Sequence, residues 1–172
     1  PVISTLMGIG AYPTNNSNYL GMIGMNGNYL ANSGLNHSDL IIAIGVAFSD
    51  WSTCKNIDFG KKAKIVSINL NKISNDFELE IQADAKDFIE KLDEKFNTKL
   101  EINEWRDFCN NLKSKYPPLT EVKRDENNPI EPYYFIQKLT ECFRDDEIIV
   151  AGNGSAFLIP FQVGIVKNSQ RY

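Results

Sequence analysis

Two runs, Asp39-Leu40-Ile41-Ile42-Ala43-Ile44-Gly45 and Lys64-Ile65-Val66-Ser67-Ile68-Asn69, carry apolar residues at nearly every position instead of at alternate ones. A strand with one wet face alternates. A strand apolar throughout is covered on both faces, the situation of a parallel sheet sandwiched by helices. Parallel neighbours need long crossovers, so each such strand must be followed by a helix or an extended loop.

The rest of the chain supplies those crossovers. Val2 to Leu6 reads as a first strand, and Gly8 to Pro13 with the Asn15 to Asn18 cluster as loop. The chain returns through Leu20 to Gly27, and Asn28 to Leu35 makes a short helix ending near Gly34. From Asp84, an N-cap residue type, Ala85, Phe88, Ile89, Leu92 and Phe96 fall on one helical face. Ile102, Trp105, Phe108 and Leu112 repeat the pattern in a second helix that stops before Tyr116-Pro117-Pro118. Residues 116–131 hold three prolines among charged and Asn residues and read as an interdomain linker. Pro132 suits the first turn of a helix with Ile136, Leu139 and Phe143 on its apolar face. That helix leads to a buried strand at Glu147 to Ala151, a turn at Gly152-Asn153-Gly154, and an apolar segment, Phe157 to Val166, with nothing after it to cover it.

The fold class expected is therefore α/β, a Rossmann-like parallel sheet with flanking helices, followed by a truncated second α/β unit. Residues 1–115 form the first domain, lacking its N-terminal part; 116–131 are linker; 132–172 begin a second domain. A chain opening on Pro1 directly into a strand reads as an excerpt of a longer one.

Composition removes several classes of function. With 18 Lys+Arg against 22 Asp+Glu the formal net charge is −4, so the broad cationic surface needed for nucleic acid is lacking. Three scattered cysteines and one histidine, without a CxxC, argue against a zinc site or a disulfide framework. No apolar run approaches the roughly 20 residues that span a bilayer, and the N-terminus has no signal-peptide pattern. Cytoplasm is the expected compartment, with no membrane partner.

In open parallel sheets ligands bind at the carboxyl ends of the strands. Glycines stand there three times, at Met7-Gly8, Gly45-Val46 and Gly152-Asn153-Gly154, although each is also ordinary turn chemistry. The dinucleotide fingerprint GxGxxG fails at both candidates: Gly8-x-Gly10 meets Pro13, and Gly152-x-Gly154 meets Phe157. No GxxxxGK[ST] loop is present. Asp145-Asp146 reads as a solvated turn and His37 as a surface loop. Asp50 and Asp84 are the carboxylates best placed to meet a ligand, with Asp84 open between that role and a plain N-cap.

The blocks PVISTLMGIGAYP, LGMIGMNGNYLAN, SDLIIAIGVAFSDW, AKIVSINLN and QADAKDFIEKL, in this order and spacing, resemble the central domain of the thiamine-diphosphate-dependent enzymes, most closely acetolactate synthase. The likeness continues more weakly through Trp105-Arg106, Tyr116-Pro117-Pro118 and Ile130 to Leu139 into IIVAGNGSAFLIPFQ, which is similar to the start of that family's C-terminal, diphosphate-binding domain. The resemblance implies a parent enzyme that decarboxylates a 2-oxo acid and passes the remaining fragment to a second carbonyl or a proton. Thiamine diphosphate and Mg2+ are the implied cofactors, and a homo-oligomer the implied assembly. The family's activating glutamate and its Gly-Asp-Gly metal motif are not found here, so no catalytic or metal residue is assigned and the chain alone is expected to be inactive.

By the same resemblance Gly154, Ser155 and Ala156 line the diphosphate site, with Ser155 and Ala156 standing where a Gln-His pair is usual. The family's FAD-contacting positions fall on Thr5, Leu6, Met7, Gly24, Met25, Asn26, Gly45, Val46 and Asp84. Around them Ala47, Trp51 and Ser49 replace two arginines and an acid, Asn69 and Asn71 replace two aspartates, and Asn26 replaces a histidine. Each lost guanidinium removes a charge-assisted contact of about 1.5–3 kcal/mol, which counts against tight FAD binding. Two other readings remain at this point: a stand-alone FAD- or ADP-binding module, and a structural or oligomerisation domain without a ligand.

Overall fold

The computed structural model describes residues 1–53, 59–60, 62–73, 77–98, 100–117 and 128–172. Most of the expected linker therefore lies outside the described residues, as does Cys54.

Strand β1 (Val2–Ser4) pairs in parallel with β2 (Tyr19–Met22), and a single 3₁₀ turn at Leu6–Gly8 follows β1. Helix α1 (Tyr29–His37) starts at Asn28, whose Oδ1 accepts from the Ala31 amide at 3.0 Å. That bond satisfies one of the helix's orphan N–H groups. Strand β3 (Leu40–Ile44) is followed by a one-turn helix α2 (Asp50–Thr53), then by β4 (Lys64–Asn69) and β5 (Leu79–Gln82). These three strands form a second parallel ladder, in the order β3-β4-β5. Helices α3 (Ala85–Lys95), α4 (Asn103–Lys115), α5 (Pro132–Glu141) and α6 (Ser155–Val163) complete the described structure. Parallel strands with flanking helices are the α/β architecture expected. No helix among the described residues is long and apolar enough to cross a membrane.

Several local expectations need correction. Helix α1 does not end near Gly34 but carries it inside, on the face toward β2: a Cβ there would lie 2.7 Å from Leu20 Cδ1. The glycine lets helix and strand approach closely. His37 closes α1 instead of lying in a loop, with Nδ1 2.8 Å from the Ser33 carbonyl and its ring against Phe108. Strand β3 buries Ala43 but leaves Leu40 and Ile42 half exposed, so its apolar run is not covered on both faces in this chain. Helix α3 likewise has the expected stripe, yet none of its residues is fully buried.

The largest departure is at Glu147 to Ala151. No strand forms there; Ile148 makes one isolated parallel bridge with Arg171, and Val150 is 91% exposed. An apolar run becomes a strand only beside a partner that takes its backbone groups, and two residues' worth of chain around Arg171 is all that lies alongside. The segment after it does find cover. Ile159, Pro160 and Val166 are buried, because α6 packs on α5 and on β2. Short elements β5 and α2 were not anticipated.

Candidate functional site

The carboxyl ends of β1, β2, β3 and β4 carry most of the residues singled out above. Beyond β1, Thr5 precedes the 3₁₀ turn without a side-chain cap, and its carbonyl accepts from Gly8 N at 3.0 Å. Leu6 and Met7 lie in that turn, with Met7 largely exposed. The Ser4 carbonyl takes the Ile23 amide at 2.9 Å, so the ends of β1 and β2 are side by side. Ser4 Oγ also lies 2.7 Å from Tyr19 Oη; burial pushes the Tyr19 phenol up, and the Ser4 bond partly opposes it.

Gly24 occupies a backbone conformation with φ of 105° that favours glycine, and a Cβ there would lie 2.1 Å from the Trp51 carbonyl oxygen. Its two peptide groups are held by one side chain: Gly24 N donates to Asn32 Oδ1 at 3.0 Å, and Asn32 Nδ2 donates to Gly24 O at 3.1 Å. Next to it, Met25 N donates to the Trp51 carbonyl at 3.0 Å, which brings the turn after β2 against the start of α2. The Asn26 carbonyl accepts from Gln162 Nε2 at 2.8 Å. Asn32 and Gln162 were not singled out from sequence. An asparagine on the face of α1 toward β2 was the available signal for the first; nothing local marked the second.

On the other ladder Gly45 N donates to Ile68 O at 2.8 Å, and the Val46 carbonyl accepts from Asn69 Nδ2 at 3.2 Å. The same Asn69 amide reaches Ser67 Oγ at 3.2 Å. Asp84 acts as N-cap of α3, its Oδ1 accepting from Lys86 N at 2.8 Å and Asp87 N at 3.3 Å. Asp50 sits in the first turn of α2.

Gly154, Ser155 and Ala156 are placed apart from this group, exposed at the start of α6. Gly154 is the N-cap with φ of 65°, a position that offers no side-chain oxygen to the first turn, and nothing lies within 4 Å of where its Cβ would be. The Ser155 and Ala156 amides thus begin a nine-residue helix with an open, positive end. Gln162 lies seven residues further on, about 10 Å along the axis at 1.5 Å per residue, and joins the helix to Asn26. One helix therefore links the turn after β2 to the second candidate site. Among the described residues no group of three or more His, Cys, Asp or Glu could hold a metal ion.

Comparison with known proteins places this geometry among relatives. Residues 1–92 match the family model described as thiamine pyrophosphate enzyme, central domain. The chain is 35% identical to acetolactate synthase 3, chloroplastic, of Brassica napus, and 36% identical to acetolactate synthase 2, chloroplastic, of Nicotiana tabacum; each match takes in 90% of this chain and 24% of the relative. Acetolactate synthase of Mycobacterium avium is 32% identical over 90% of this chain and 26% of its own length. The chain spans about a quarter of the length of these relatives.

Proposed function

This chain belongs to the thiamine pyrophosphate enzymes, and from that premise we propose that it is the central domain and the entry to the diphosphate-binding domain of an acetolactate-synthase-like enzyme acting on a 2-oxo acid. The observation that carries the reading is the reach of the similarity. The central-domain match stops at residue 92, whereas identity to acetolactate synthases extends over nine-tenths of the chain, which supports a reading that includes more than that domain.

The residues at the start of α6 fit a diphosphate. The helix end is open, its N-cap carries no side chain, and no Cβ occupies the space beside Gly154. Backbone N–H groups at a helix N-terminus favour phosphate oxygens. Gly154, Ser155 and Ala156 hold the diphosphate on this reading, with the Ser155 hydroxyl as a further donor. When bound, thiamine diphosphate supplies the nucleophilic carbon and electron sink on which a 2-oxo acid loses carbon dioxide. The contribution of this chain is to fix where the diphosphate sits: Gln162, bonded to Asn26, anchors α6 on the central domain. Mg2+ accompanies the diphosphate, its ligands assigned to no residue here. Half-exposed apolar side chains on α3 and β3 support assembly with further copies.

The test is carbon dioxide release from 2-oxo acids by the whole enzyme with thiamine diphosphate and Mg2+, compared with Ser155→Asp. A carboxylate placed against the diphosphate is expected to weaken thiamine diphosphate binding at least tenfold, about 1.4 kcal/mol. Absence of thiamine-dependent release from every 2-oxo acid tried would falsify the proposal. This chain alone is expected to show no turnover, and a measurable rate from it overturns that part.

A further inference from the structure

The family's central domain implies a flavin dinucleotide at the carboxyl ends of the strands, and the donor set found there does not fit one. A dinucleotide diphosphate needs backbone N–H groups or cationic side chains that point at it and are not already used. At the turn after β2 three of those groups are spent. Gly24 N is held by Asn32, Met25 N by Trp51 O, and Gly27 N by Gly24 O. After β3, Gly45 N is bonded to Ile68 O, and Asn69 turns its amide onto Val46 and Ser67. Asp84 adds a carboxylate that caps α3 and has no donor to offer a diphosphate.

Charge fails as well. The described turns, residues 5–10, 23–27, 45–53, 70–73 and 83–85, carry one cation, Lys72, against the acids Asp50 and Asp84. These turns also expose large apolar side chains: Met7, Met25, Trp51 and Leu70 are all more than half accessible. An indole stands at position 51, where a diphosphate would need a guanidinium.

Building on the proposed acetolactate-synthase-like activity, we infer that the strand-end turns of this central domain exclude the flavin dinucleotide and that the enzyme works without it. Trp51, with Ala47, is the specificity-determining position. Its side chain can change without touching the backbone carbonyl that holds Met25.

The experiment titrates FAD against the whole enzyme and against its Ala47→Arg/Trp51→Arg double variant, reading quenching of flavin fluorescence, with the fold checked by circular dichroism. Wild type is expected to show no saturable quenching, and the double variant to bind at least tenfold tighter. Saturable micromolar binding by wild type, or a variant no tighter than wild type, overturns the inference. Turnover of the whole enzyme is then measured with and without added FAD. Equal rates support FAD independence. A rate that appears only with FAD sinks this inference and leaves the proposed activity intact, whereas no rate in either case, with FAD still unbound, sinks the proposed activity alone.

Discussion

Thr14 and Val166, 152 residues apart, are tied by two hydrogen bonds: Val166 N donates to Thr14 Oγ1 at 2.8 Å, and Thr14 N donates to Val166 O at 2.9 Å. Thr14 Oγ1 in turn donates to Gly164 O at 3.2 Å. The loop after β1 and the segment after α6 are thus joined through a single hydroxyl, with the Val166 side chain fully buried beside it. Replacing Thr14 by Val keeps the shape but leaves the Val166 amide without its acceptor, at a cost of about 1–3 kcal/mol. Urea unfolding should show the midpoint falling for Thr14→Val and recovering in Thr14→Ser.

Gly24→Ala tests the turn after β2. The added Cβ meets the Trp51 carbonyl oxygen, a backbone atom that cannot swing aside, and φ stays positive. A loss of about 2 kcal/mol or more is expected in thermal or chemical unfolding. A neutral result would mean that the turn and α2 separate freely.

Asp84 is assigned to capping, and two substitutions separate that from ligand binding. Asp84→Ala removes the acceptor for Lys86 N and Asp87 N and should cost about 1 kcal/mol, whereas Asp84→Asn keeps an acceptor oxygen and should cost much less. Equal destabilisation by both would show that the charge, not the cap, is what matters.

Tyr172 gives a pH signature. Burial pushes its phenol up to about 12 from 10.0, and its hydroxyl has no partner. A folded-state value above the unfolded one means that the stabilising contribution is complete below pH 10 and is lost as pH rises toward 12. Ultraviolet titration should therefore show Tyr172 ionising late among the seven tyrosines, and stability should fall across that alkaline window; Tyr172→Phe should remove this part of the pH dependence.

Much of this architecture was legible in the residues. The dense apolar runs at 39–45 and 64–69 became β3 and β4, and Asp84 and Pro132 marked helix starts where they were expected. What failed was long-range. Glu147 to Ala151 has strand composition, but whether it joins a sheet depends on a neighbour, and composition carries no record of one. The same limit hid Gln162. Its bond to Asn26 spans 136 residues, and only the packing of α6 on β2 reveals that this amide fastens the helix. Asn69 stands where the resemblance places an aspartate, and its amide closes the gap between the ends of β3 and β4, a role an acid could not fill as donor.

Register across the second ladder aligns Ile42 with Val66 and Val66 with Leu79, so these side chains share one face with Leu40. Leu40, Ile42 and Leu79 stay half exposed there, and Ile89, Leu92 and Phe96 do so on α3. At neutral pH only a modest net charge of −4 keeps dissolved copies apart. That repulsion vanishes near the isoelectric point of about 5.1, where wet apolar faces drive coagulation. The colloidal behaviour of the isolated chain is therefore expected to follow a sheet face: dispersed in buffers well above pH 6, and clouding as mild acid brings the net charge to zero.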